Sequence, residues 1–120
     1  MTGNGSSCAT ITSYADALGD KLPAGRIVLI EHSMGGLIAS ELTAELDNVI
    51  GIVTIGTGAH MAVNSELLSS AKEKAALAMA PIRKWSLSRD ASEDYKTQLH
   101  DSTSPEAVES IFNDLTACEA

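Results

Sequence analysis

Apolar residues in the first part of the chain recur at helical spacing. Ile11, Tyr14, Ala15, Leu18 and Leu22 share one face, which predicts an amphipathic helix over 9–22. Pro23-Ala24-Gly25 breaks it. Arg26 to Glu31 follows, with Ile27-Val28-Leu29-Ile30 at its centre. A short, unbroken, β-branched run of this kind predicts a strand buried on both faces. His32-Ser33-Met34-Gly35-Gly36 reads as a turn, and Leu37, Ile38, Leu42 and Leu46 then mark one face of a helix that Asp47-Asn48 stops. Val49 to Ile55 is a second strand of the same buried type. The stretch from Glu31 to Asn48 is long enough for a crossover helix, so the two strands are expected to be parallel, in a βαβ unit.

Beyond Ile55 the pattern is helical. Gly56-Thr57-Gly58-Ala59-His60 is a glycine-rich loop. Asn64 or Ser65 is placed to cap a helix whose stripe is Leu67, Leu68, Ala71, Ala75, Ala78 and Met79. Pro81 should end or kink it, with Ile82 and Trp85 on a short further turn. Ser92 to Leu99 is a weaker helix with acids in its first turn. Ser104-Pro105-Glu106 supplies a cap, a proline at the first helical position and an acid at the positive end of the dipole. Val108, Ile111, Phe112 and Leu115 form the apolar face of that last helix. The fold class expected is α/β: one domain over 1–120, with a βαβ core at about 9–60 and a helical segment at 61–120. Two parallel strands leave both sheet edges open. Strands so apolar call for neighbours, from further chain or from a partner.

Composition narrows the function classes. The 120 residues are 44% hydrophobic and 20% charged, which is globular. Sixteen acids against eight Lys and Arg give net −8, which disfavours nucleic acid and anionic membranes as partners. No apolar run is long enough to span a bilayer, and Met1 to Ser7 lacks the features of a signal peptide. A cytoplasmic chain is therefore expected, with Cys8 and Cys118 as free thiols. If the chain ends meet, a bridge between them would close a long loop and add about 4–5 kcal/mol.

The chemistry concentrates in one motif. A strand, then Glu31-His32-Ser33-Met34-Gly35-Gly36, then a helix resembles the nucleophile elbow of the α/β-hydrolase family, Gly-x-Ser-x-Gly. A serine on such a turn stands above the sheet end, small neighbours let strand and helix approach, and the helix N-terminus favours an oxyanion. The resemblance extends through Leu37-Ile38-Ala39 and through Val49 to Ala59, towards the esterase, lipase and haloperoxidase-like branch. Met61 to Ala120 is similar to that branch's helical cap. The resemblance thus covers nearly the whole chain and implies the middle of a partial α/β-hydrolase fold. It implies Ser33 as nucleophile, the Met34 amide as an oxyanion donor, and Gly35 and Gly36 as the close-approach residues, without a cofactor. Glu31 departs from the pattern, standing where the family has its first glycine. The family's triad acid and histidine follow later strands, beyond the part this chain resembles.

Three histidines remain as local candidates for the base. His32 precedes the nucleophile, where the family does not place its base, and reads as a packing or orienting residue. His60, in the loop after the second strand, is a candidate base if it reaches Ser33. His100 is a second candidate, against the plainer reading of a solvent-facing pair with Asp101 at a helix end. Asp90 and Asp94 read as solvated acids at a helix start, and Glu31 as an orienting acid has no separate support. No metal-ligand spacing is visible, and Gly56-Thr57-Gly58 is too short for a dinucleotide fingerprint. The expectation is a serine hydrolase acting on small-molecule carboxylic esters with modest apolar acyl groups. The alternative is a non-catalytic chain that self-associates through its open strand edges, as a homo-oligomer.

Overall fold

The computed structural model describes residues 8–103 and 105–119, without the side chains of Glu106 and Ala107. Two units are compact: 8–63 together with 113–119, and 64–112.

The first unit begins with α1 (Ile11–Gly19). Thr10 caps it, its hydroxyl accepting from the Ser13 amide at 3.1 Å while Ser13 Oγ accepts from the Thr10 amide at 3.2 Å. This reciprocal box satisfies two donors that a helix start leaves over. The helix is shorter than the apolar spacing predicts. The chain turns at Asp20, ahead of Pro23, and Leu22 packs against the core from outside the helix.

Strand β1 (Ile27–His32) and strand β2 (Val49–Ile55) pair in parallel around α2 (Met34–Glu45). The βαβ unit is therefore present, and the chain is mixed α/β. Ile27 faces Val49, an irregularity follows, and the register then runs from Val28 opposite Gly51 to His32 opposite Ile55. Asn48 fastens the entrance to β1. Its side-chain amide donates to the carbonyls of Pro23 at 2.9 Å and Gly25 at 3.0 Å. The helix starts at Met34, earlier than the apolar spacing indicates, because Gly35 and Gly36 continue it instead of forming a turn.

Tyr14, Ala15, Ile38, Leu42 and Ala117 form the core, with Leu18, Leu29, Met34 and Leu46 packed around it. Ile38 is fully enclosed, and burying a side chain of that size contributes about 1.5–3 kcal/mol. The core joins one face of the sheet to α1, α2 and the end of α6 (Pro105–Glu119). The Tyr14 hydroxyl donates to the Asp114 carboxylate. Burial first, and that hydrogen bond second, push the Tyr14 hydroxyl up to about 12.

The strands are not buried on both faces as their composition predicts. Side chains in β1 alternate between half-buried and exposed. Val28 is 54% exposed and Ile30 66%, with Val53 and Ile55 of β2 beside them on the same open face. The physical reason is connectivity: a single crossover helix covers one side of a sheet, and among the described residues nothing in this unit covers the other. Cys8 and Cys118 are both free thiols.

The second unit holds α3 (Ser65–Glu73), α4 (Ala75–Trp85), α5 (Glu93–Asp101) and the first part of α6. Asn64 caps α3, accepting from the amides of Glu66 at 2.8 Å and Leu67 at 3.2 Å. The stripe from Leu67 to Met79 is divided between two helices. The chain breaks at Lys74, which is extended (φ −157°, ψ 110°), and α4 then runs through Pro81. The proline leaves the Leu77 carbonyl without its helical donor, on a residue that is itself exposed. Ser92 caps α5 through the Tyr95 amide, with Glu93 and Asp94 in the first turn. The expected cap Ser104 and the Glu106 side chain lie outside the described residues. Among the described residues no helix is long and apolar enough to cross a membrane.

Candidate functional site

The junction between β1 and α2 is where the backbone is most constrained. Ser33 occupies it with φ 54° and ψ −127°, the one positive φ at a non-glycine residue among those described. A side chain there costs on the order of 1–3 kcal/mol and persists only where neighbours over-determine it. The neighbours are identifiable. The Ser33 amide donates to the Ile55 carbonyl at 2.9 Å, which extends the sheet ladder by one bond. The Ser33 carbonyl accepts from the Gly36 amide at 2.9 Å and from Thr57 Oγ1 at 2.5 Å. Both peptide groups of the serine are therefore held, one by β2 and the other by the helix start and the loop beyond β2.

Two glycines make the junction sterically feasible. A Cβ on Gly36 would lie 2.6 Å from Thr57 Oγ1 and 2.8 Å from its Cβ and Cγ2. The helix can sit on the loop only because that atom is missing. A Cβ on Gly35 would lie 2.6 Å from Glu31 Oε2 and 3.3 Å from Glu31 Cβ. The unusual glutamate is thus accommodated on the helix side, against Gly35. Residues 31 and 33 share the alternation of a strand, and among the described residues no hydrogen bond joins their side chains.

Ser33 is half-buried, and its hydroxyl has no hydrogen-bond partner among the described residues. Met34 and Gly35 begin the helix, so their amides have no intrahelical acceptor. The Met34 side chain packs against the core, which fixes the first turn. A hydroxyl, two unclaimed amides and a helix dipole are the parts that present a nucleophile and hold a developing oxyanion, and a general base is the further part that attack requires.

The histidines are placed as follows. His32 ends β1 and is exposed, its Nε2 3.5 Å from where a Cβ on Gly56 would stand. Gly56 has φ 61°, so the loop turns under the imidazole at a residue that tolerates that conformation. His60 is exposed in the loop that leaves β2, and no hydrogen bond links it to Ser33. His100 belongs to the second unit, in the last turn of α5, with Nδ1 3.3 Å from Asp101 Oδ1 and a side chain 69% exposed. Asp90 and Asp94 are also exposed there.

The residue that sequence reasoning passed over is Thr57. It looks like the middle of a flexible Gly-Thr-Gly loop, yet its hydroxyl holds the serine's carbonyl and its methyl fills the space beside Gly36. A threonine between two glycines, immediately after a strand, was the available signal. Family models, curated proteins and solved structures give no match to this chain.

Proposed function

We propose that the chain is a serine hydrolase cleaving carboxylic esters of small or medium apolar acyl groups, with Ser33 as nucleophile. The observation that carries this reading is the strained Ser33 backbone at a strand-to-helix junction, with its hydroxyl unengaged. Strain at a polar residue, held by several independent contacts, is the arrangement of a positioned nucleophile. Ser33 Oγ attacks the acyl carbon, and the carbonyl oxygen takes the negative charge facing the Met34 amide. The ester C–O bond then breaks, the alcohol leaves with a proton, and water hydrolyses the acyl-serine to carboxylic acid and free Ser33. The proton of Ser33 requires an acceptor. His60, in the loop leaving β2, is the imidazole assigned to that role.

The alternative is a non-catalytic chain that associates with itself through its sheet edges. The open face bearing Val28, Ile30, Val53 and Ile55 favours it, as do two strands with one unpaired edge each among the described residues.

Fluorophosphonate labelling followed by peptide mapping separates the two. Modification at Ser33, lost in Ser33→Ala and reduced in His60→Ala, supports the hydrolase. Folded protein that stays unmodified, and that sediments as an oligomer, supports the alternative.

A further inference from the structure

We propose that the second unit carries a binding pocket for a small organic oxyanion, a carboxylate or phosphate on an aromatic or apolar body. The last turn of α4, the connection through Ser88 and the α5 face bearing Lys96 and Leu99 surround a cavity of about 900 Å³. That is within the range of small-molecule sites. Arg83, Lys84, Arg89 and Lys96 line it, half of the eight Lys and Arg in a chain of net charge −8. Lys96 is paired with Glu93 at 2.6 Å. Among the described residues no carboxylate pairs with Arg83, Lys84 or Arg89. Three cations without a carboxylate partner among the described residues concentrate positive charge around one concavity.

Arg83 gives the site its chemistry. Its Nε is buried and has no acceptor among the described residues. A guanidinium presents a rigid fork that fits two oxygens of a carboxylate or phosphate at once. That Nε is closed off from solvent, so an oxyanion in the cavity is met by the rest of the guanidinium, on a residue that lines the wall. The position of Arg83 and Lys84 near the C-terminus of α4 suits the helix dipole. The dipole does not account for Arg89 in the connection. Beside Ser88 and His100, the remaining wall is an apolar patch of Trp85, 63% exposed, with Leu87 and Leu99. An exposed indole beside a cationic fork fits a ligand with a flat or apolar body next to its charged group. A polyanion is the wrong scale, because the chain's overall charge repels it at longer range.

Trp85 is the single tryptophan of the chain, so its fluorescence reports on this pocket directly. The full-length protein is titrated with phenyl phosphate, benzoate, inorganic phosphate and benzyl alcohol. Phenyl phosphate or benzoate should give a saturable change in Trp85 emission, and the tighter of the two identifies the headgroup. Inorganic phosphate should bind about tenfold more weakly, for want of a body to pack on Trp85. Benzyl alcohol should give no saturable change. Arg83→Gln should weaken the preferred probe about tenfold, and Arg83→Lys should restore only part of it, since an ammonium lacks the fork. Arg89→Gln, at an exposed position, should weaken it several-fold and tests the site even if the Arg83 variant folds poorly. Affinity that is unchanged in folded Arg83→Gln or in Arg89→Gln overturns the proposal. Binding of benzyl alcohol as tight as that of phenyl phosphate overturns it equally.

Discussion

Gly36→Ala tests the packing of the serine junction most directly, because two large effects oppose each other there. In a helix interior, replacing glycine by alanine stabilises by about 1 kcal/mol through backbone entropy. At Gly36 the added methyl would stand 2.6–2.8 Å from three atoms of Thr57. Thr57 has little room to yield. Its hydroxyl is bonded to the Ser33 carbonyl at 2.5 Å, and a rotation that moves Cγ2 away breaks that bond. Overpacking of this kind costs about 1–3 kcal/mol, and the lost hydrogen bond about 1 kcal/mol more. The net expectation is a destabilisation of about 1–3 kcal/mol. Urea unfolding followed by far-UV circular dichroism measures it, as a fall in midpoint of roughly 1 M for a typical slope. Gly35→Ala is the internal comparison. Its closest contact would be the far end of the Glu31 side chain, which can swing aside and leave only the 3.3 Å approach to Glu31 Cβ, so that variant should lose less than Gly36→Ala. Thr57→Gly should recover most of the loss in Gly36→Ala, and the double-mutant cycle gives the coupling. A Gly36→Ala protein as stable as the parent, or more stable, would refute the account of how helix and loop meet.

Ser33→Gly should raise stability by about 0.5–1.5 kcal/mol, since glycine adopts the φ of 54° without strain while adding some backbone entropy cost; calorimetry showing a loss would contradict strain at this residue. Tyr14→Phe should cost about 1–3 kcal/mol at neutral pH by removing a buried hydrogen bond to a carboxylate. The Tyr14 hydroxyl titrates near 10.0 when unfolded and about 12 when folded, so its contribution is complete below pH 10.0 and is lost as pH rises through about 12. The stability gap between parent and Tyr14→Phe should therefore narrow over that interval, and a gap that stays constant in alkaline denaturation would count against it. Burial, and then the nearby charge of Asp114, raise the Cys118 thiol above its usual range. An Ellman titration of native protein should show Cys8 reacting fast and Cys118 slowly, the two becoming equal in urea; equal native rates would be inconsistent with a buried Cys118.

Local signals made the serine junction readable before any coordinates. The β-branched runs at Ile27 to Ile30 and Val49 to Ile55 are strands, and the segment between them suits only a crossover helix. Where two local signals compete, periodicity misleads. The stripe from Leu67 to Met79 continues smoothly in sequence, yet the chain opens at Lys74 and passes through Pro81. Burial misleads when it is inferred from composition alone. Val28 and Ile30 have the residue types of a covered strand, but cover is a property of the elements packed on it and not of the strand. Contacts between distant residues leave no local trace at all. Tyr14 and Asp114 lie 100 positions apart, and neither flanking sequence signals the other. Arg83 was unreadable for the same reason, since its role comes from the cavity wall, and Thr57 offered only its place between two glycines, its role coming from Ser33 and Gly36.

The chain order of the first unit governs when its parts can meet. Residues 64–112 are inserted between β2 and the closing turns of α6. Ala117, which completes the core with Tyr14 and Ile38, is therefore made only after that whole segment. At about 5–20 residues per second, the insertion delays it by several seconds after β2 has left the ribosome. During that interval α1, the two strands and α2 exist without their closing helix, with apolar surface open on both sides of the sheet. For those seconds the serine junction already has every contact that holds it, to Ile55, Gly36 and Thr57, while the core beneath it still waits for Ala117.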